Sequence, residues 1–142
     1  MGFAAGMAEK SEGVYKALVQ KAKDSALKEV LQALSEEEEK NRGLMVKTRR
    51  ENVTEMILEP VAGLQQEDYE FVVEVSGAAE DADLLKAALM IEEREKQFFQ
   101  DASSKVPLPE VARIFRKAVR KKEENLTRLQ KLGLNQSLKQ RT

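Results

Sequence analysis

Apolar residues recur every three or four positions along most of the chain, which is the spacing of one face of an α-helix. The chain has only three prolines, and the long stretches between them are rich in Ala, Leu, Glu, Lys and Gln, which favour helices. We therefore predict an all-α protein. Its first helix runs from about Phe3 to Ala22, and its second starts near Asp24 or Ser25, either of which is suited to cap a first turn.

A second pair of helices is predicted in the C-terminal half. The third helix runs from about Asp81 to Ser104 and is broken by the segment 106–109. Pro109 stands where it favours the first turn of a fourth helix, and Gly133 is a residue type typical of the position just after a helix.

These elements predict one domain, a four-helix bundle over residues 1–133, made of two helical hairpins joined by a long crossover. The connection begins near Pro60, and its segment 70–75 fits either a short strand or a helical turn. The predicted parts are hairpin one at 3–59, the crossover at 60–80, hairpin two at 81–133 and a frayed tail at 134–142.

The two hairpins align without a gap when residues 84 positions apart are paired. In each half the paired apolar residues step by three or four, so each set forms one core-facing stripe. The pairs are Tyr15 with Phe99, Leu18 with Ala102, Ala22 with Val106, Leu27 with Val111, Leu31 with Phe115, Leu34 with Ala118 and Met45 with Leu129.

Polar residues interrupt these stripes at one level of the bundle. Burying a charge without a partner is costly, so polar residues on a core-facing stripe need an explanation. The first helix places Ala8 and Ser11 at this level. The other three helices place Glu38, Asn41, Glu92, Glu95, Lys122 and Asn125 there.

The composition excludes several kinds of site. The chain has no cysteine and no histidine, so disulfides, thiolate or imidazole metal ligands and cysteine nucleophiles are excluded. Its 24 basic and 25 acidic residues give a net charge of -1, which favours neither nucleic acid nor an anionic membrane as partner. The sequence at Met1–Gly6 has no export signal and no apolar run is long enough to span a bilayer, so we expect a cytoplasmic protein.

The segments Glu92–Phe99 and Glu38–Asn41 resemble elements of the ferritin-like di-iron carboxylate proteins, specifically rubrerythrin-type members without a rubredoxin domain. In that family each half carries a Glu on its first helix and Glu-x-x-His on its second, and two irons lie between the four helices. The resemblance covers both hairpins but not the crossover. It implies a ferritin-like bundle that forms a homodimer or another homo-oligomer.

The chain departs from the family pattern at most metal-binding positions. Asn41 and Asn125 stand where the pattern has histidines, and Lys122 and Ala8 stand where it has glutamates. Asparagine is a poor ligand for iron, and an ammonium repels a dication. Of the family's ligand set, Glu38 and Glu92 remain, with Glu95 as an additional carboxylate and Glu9 or Glu12 as replacements for the group missing at Ala8.

The resulting hypothesis is a degenerate site in which Lys122 pairs with Glu38, Glu92 or Glu95. No catalytic residue, cofactor or substrate is then expected, and the role is structural or one of protein interaction. The alternative is a carboxylate-only site on the same three glutamates that binds iron or another divalent cation, in an oxidoreductase or an iron-handling protein.

Other interpretations of single residues remain open. Glu38 lies in the acidic run 36–39, which fits a solvated face, and Lys122 is long enough to extend its ammonium into water. Asn41 and Asn125 also fit surface or capping positions. The aromatic residues Tyr15, Phe98 and Phe99 are expected in the core.

A third possibility is a binding module built on the fourth helix. Six basic residues within ten positions favour contact with phosphates, but no aromatic platform or groove-reading motif accompanies them, so we expect no nucleic-acid binding. They are Arg113, Arg116, Lys117, Arg120, Lys121 and Lys122.

Overall fold

The computed structural model describes residues 2–51, 80–106 and 108–141, and the secondary structure of this part of the chain consists of helices. The prediction of an all-α protein is confirmed, and four helices arranged in this way are compatible with a four-helix bundle. The helices are α1 (Gly2–Lys21), α2 (Ser25–Glu51), α3 (Asp81–Lys105) and α4 (Pro109–Arg141). Apart from Glu80, the predicted crossover at 60–80 lies outside the described residues.

The turn between α1 and α2 is closed by two aspartates. Asp24 caps α2, since its Oδ2 accepts a hydrogen bond of 3.0 Å from the backbone N–H of Leu27. Asp81, at the start of α3, accepts hydrogen bonds from the backbone N–H groups of Lys23 and Asp24 at 3.0 and 2.9 Å. The first residue of α3 therefore stabilises the turn between α1 and α2.

The boundaries of α3 and α4 follow from local chemistry. Glu80 and Asp83 form a reciprocal capping box at the start of α3, and Pro109 is the first residue of α4, as expected. The prediction that the fourth helix ends at Gly133 is wrong, because α4 continues to Arg141. A β-carbon on Gly133 would lie 3.1 Å from Leu85 Cδ2, so this glycine serves close packing of α4 on α3 and not helix termination.

The core lies along the inner faces of all four helices. The most extensive contacts join α1 to α2 and α3 to α4, and smaller ones join α1 to α3 and α2 to α4. Phe98, Phe99 and Phe115 pack together with ring centroids 5.3 to 6.2 Å apart, which confirms the core position of the first two. None of the four described helices contains an apolar stretch of the length needed to span a bilayer.

Candidate functional site: a buried ammonium among carboxylates

The ammonium of Lys122 lies in the middle of the bundle, and its side chain is only 1% exposed. Its Nζ atom is 2.7 Å from Glu38 Oε1, 2.8 Å from Glu95 Oε2 and 3.2 Å from Glu92 Oε2. We call these four residues the central cluster. The alternative in which Lys122 reaches water is wrong, and so is the one that places Glu38 on a solvated face, because Glu38 is buried as well.

Polar neighbours hold two of the three carboxylates in place. The hydroxyl of Tyr15 donates a hydrogen bond of 2.7 Å to Glu92 Oε1, and the hydroxyl of Ser11 donates one of 2.8 Å to Glu95 Oε1. The Asn125 Nδ2 atom donates to Glu92 Oε2 at 3.2 Å. All of these groups are buried, so each bond acts in a weakly screened interior.

The sequence did not reveal every participant. Tyr15 was expected to be a core aromatic only, although its hydroxyl binds the cluster. Glu37 was also missed: it accepts a hydrogen bond of 2.9 Å from Asn125 Nδ2, and its Oε1 lies 3.8 Å from Lys122 Nζ. Ser11 was placed at the right level, but its bond to Glu95 was not foreseen.

Other residues expected near the centre lie apart from it. Asn41 is only half-buried, and Glu9 is exposed. Glu12 is buried, but its carboxylate pairs with Arg42 at 3.4 Å and with Lys16 at 3.6 Å. Neither glutamate therefore substitutes for the group missing at Ala8, because Glu9 faces water and Glu12 serves the α1–α2 contact.

The central cluster contains more carboxylates than its single ammonium neutralises. Burial lowers the pKa of Lys122, but the neighbouring carboxylates, Glu92 first, outweigh it and hold the pKa well above 10.5. Burial raises the pKa of Glu38 well above 4.5, and the adjacent Glu95 carboxylate adds to the rise. The raised pKa of Lys122 keeps its ammonium charged, and the raised pKa of Glu38 favours the protonated form of that carboxyl.

The Glu95 carboxylate contacts Lys122 through an ion pair. No hydrogen bond reaches Glu95 Oε2, although Lys122 Nζ forms an ion pair with it at 2.8 Å. The negative charge of Glu95 is also one of the causes that raise the pKa of Glu38, after burial, whereas the charge of Lys122 opposes the rise.

Burial also raises the pKa values of Glu92 and Tyr15. The Glu92 carboxyl has its pKa raised by burial, opposed by the charge of Lys122. Burial and the nearby Glu92 carboxylate raise the pKa of Tyr15 well above 10.0, so its hydroxyl remains a hydrogen-bond donor.

The three carboxylates alone have the donor chemistry of a divalent cation site. One oxygen from each of Glu38, Glu92 and Glu95 lies within 4.8 Å of the others, and carboxylate oxygens are preferred by hard cations. Lys122 Nζ, however, lies within 3.2 Å of all three, where a shared cation would be held. The residues as arranged therefore do not fit iron or another metal ion.

The basic run on α4 divides into two groups. Lys122 is buried in the central cluster, whereas the other five side chains are exposed. Lys121 forms a surface ion pair with Glu124 at 3.7 Å. The remaining exposed members are Arg113, Arg116, Lys117 and Arg120.

Comparison of the chain with protein-family models, with curated proteins and with solved structures gives no match in any of the three.

Proposed function

We propose that the protein is a ferritin-like, rubrerythrin-type bundle that has lost its di-iron centre and serves a structural or protein-interaction role. The observation that carries this proposal is the position of Lys122 Nζ, 2.7 to 3.2 Å from the three carboxylates of the central cluster. An ammonium in this place supplies positive charge to buried carboxylates without any redox chemistry.

The donor set supports the same proposal. Iron centres in ferritin-like bundles combine carboxylates with two histidines, whereas this chain contains none. Asn125, at one of the expected histidine positions, uses its Nδ2 atom to donate to Glu92 and Glu37. A group oriented as a donor to carboxylates is turned away from metal coordination.

Two contacts support an origin of the bundle in two equivalent hairpins. Ser11 bonds Glu95 and Lys122 bonds Glu38, and both pairs are 84 positions apart. Equivalent residues of two related halves meet only close to the twofold axis that relates those halves. An axis through the central cluster accounts for both contacts.

The second candidate is a divalent cation site on the same carboxylates, in an iron-handling protein or a non-haem iron oxidoreductase. The approach of three carboxylate oxygens within 4.8 Å favours it. Metal binding requires the Lys122 ammonium to move out of the central cluster. The ammonium would then lose its buried ion pairs and be solvated by water instead. We therefore rank it second.

Metal analysis separates the two candidates. Protein purified without chelator is incubated with ferrous iron under nitrogen, exposed to air and desalted, and its iron content and absorption spectrum are measured. Three proteins are compared: the unchanged chain, Lys122→Met, which removes the buried ammonium, and Lys121→Met, which removes the exposed ammonium next to it.

We expect no stoichiometric iron in the unchanged chain or in Lys121→Met, and bound metal only in Lys122→Met. Stoichiometric iron with an oxo-bridged absorption band in the unchanged chain would overturn the proposal and establish the second candidate. A folded Lys122→Met protein that binds no divalent ion would contradict a metal-site origin for the cluster.

A further inference from the structure

A groove on the outer surface of the bundle lies between α3 and α4, and none of its lining residues belongs to the central cluster. Its volume is about 340 Å³, which is within the range of small-ligand sites. The lining residues are Gln100, Ser103, Arg116, Val119 and Arg120.

Two guanidinium groups dominate the charge of this groove. Arg116 and Arg120 are four positions apart, so both side chains project from the same face of α4. No lining residue is acidic, and in the part of the chain that the structure describes neither arginine has a carboxylate within ion-pair distance. Within the described ranges 2–51, 80–106 and 108–141, no carboxylate neutralises the positive charge at the groove.

The neighbouring surface has the same sign of charge. Arg113 and Lys117 extend the stripe by one turn and are exposed, but they do not line the groove. A local excess of positive charge raises the concentration of anions at the surface. These two residues favour the approach of an anion, whereas Arg116 and Arg120 are placed to hold it.

The arginine pair is not imposed by the bundle architecture. Counting back 84 positions, the first hairpin has Gln32 and Glu36 where the second has Arg116 and Arg120. Gln32 and Glu36 bond each other at 3.4 Å, so this equivalent surface is self-paired and carries a negative charge. The positive groove is a property of the second hairpin alone.

The groove also offers contacts besides charge. Gln100 contributes a side-chain amide from α3, opposite the arginines of α4, and Val119 contributes an apolar contact between them. Guanidinium groups match the oxygens of a phosphate in pairs, and a phosphate monoester carries nearly two negative charges at neutral pH. We propose that this groove binds a small organic phosphate, with its phosphate group on Arg116 and Arg120 and its organic part over Val119.

Phenyl phosphate is a suitable probe, since it combines a phosphate monoester with an apolar body. Backbone amide and arginine Nε–H signals are followed by NMR during titration at constant ionic strength. Arg116→Ala and Arg120→Ala remove groove residues, and Arg113→Ala and Lys117→Ala are matched controls that each remove one exposed charge from the same stripe.

We expect saturable shifts centred on Gln100, Val119 and the two groove arginines. Each groove variant should weaken binding about tenfold, and each control less than about threefold, because charge-assisted bonds act at contact distance. Inorganic phosphate should bind to the same residues more weakly.

Absence of saturation up to about 10 mM probe would overturn the proposal, because affinity weaker than that is negligible. Equal weakening by all four variants would overturn it too, since it would indicate a diffuse basic surface instead of a site. The proposal would also be overturned if the protein bound a duplex nucleic acid more tightly than phenyl phosphate and all four substitutions weakened that binding equally.

Discussion

Glu38 and Lys122 meet across the bundle with 2.7 Å between Oε1 and Nζ, although 84 positions separate them in the chain. Each residue is fully enclosed, so neither charge has water as an alternative partner. Loss of the Lys122 ammonium should therefore be more disruptive than replacement of Glu38 by an uncharged residue of the same shape.

Replacing Lys122 by alanine should lower the free energy of unfolding by roughly 3–5 kcal/mol, because it strands buried carboxylates without a counter-charge. Chemical denaturation of Lys122→Ala measures the change. The exposed neighbour Lys121, changed to alanine in the same way, should give less than about 1 kcal/mol. Equal stability of Lys122→Ala and the unchanged protein would refute the role assigned to the ammonium.

Replacing Glu38 by glutamine should be tolerated at pH 7, with a change within about 1 kcal/mol. Glutamine has the shape of the protonated carboxyl, accepts from Lys122 through its oxygen and donates to Glu95 through its amide. Glu38→Ala, which removes both functions, is the comparison and should cost more. A large loss in Glu38→Gln would show that Glu38 is ionised in the folded protein.

The titration of Glu38 should make the free energy of unfolding depend on pH. Because burial raises its folded-state pKa well above 4.5, the folded protein binds more protons than the unfolded chain above that pH. The contribution of Glu38 to the free energy of unfolding is thus fully present below pH 4.5, and it is lost as the pH rises through the folded-state pKa.

Denaturation series of the unchanged protein and Glu38→Gln, run at steps from pH 4.5 upward, isolate this effect. We expect the unchanged protein to lose stability relative to Glu38→Gln as the pH rises. A constant difference across the series would show that Glu38 has the same pKa in both states.

Replacing Tyr15 by phenylalanine should cost about 1–3 kcal/mol, since it removes the donor to the buried Glu92 carboxylate and preserves the ring. A double-mutant cycle with Glu92→Gln isolates the interaction from the loss of packing. A coupling energy of zero in the cycle would mean that the hydroxyl contributes nothing.

Alanine substitutions should distinguish two glycines within helices. Gly13 has open space around it, so Gly13→Ala should stabilise the protein by about 0.5–1 kcal/mol through helix propensity. Gly133→Ala should gain less, because its new methyl group would lie 3.1 Å from Leu85 Cδ2. Thermal melts provide the comparison, and equal gains at both positions would contradict close packing at Gly133.

Much of the fold follows from local patterns in the sequence. Asp24 and Pro109 predict where α2 and α4 start, because caps and prolines act on the residues beside them. The end of α4 was not predictable in this way. Gly133 resembles a terminator locally, but α4 continues past it to Arg141. The position of the distant Leu85, whose Cδ2 would lie 3.1 Å from a β-carbon on Gly133, explains why a small residue stands there.

The candidate site was predictable to the level of a helical face but not of individual bonds. Stripe spacing placed Lys122 and Glu38 inside, and both are buried. The same spacing predicted that Asn41 and Asn125 both face the core, yet of these two residues only Asn125 is buried. Periodicity specifies the side of a helix on which a side chain lies. The hydrogen bond from Tyr15 to Glu92 depends in addition on how α1 and α3 are aligned with each other.

The central cluster also selects how the helices are aligned lengthwise. Apolar stripes tolerate sliding, since leucine and valine pack acceptably against several neighbours. A slip of one helical turn, roughly 5.4 Å, would carry the Lys122 ammonium away from all its partners and leave four ionisable groups stranded in the interior. The charges of the central cluster are costly to bury, and for that reason they favour one lengthwise alignment of the helices over the others.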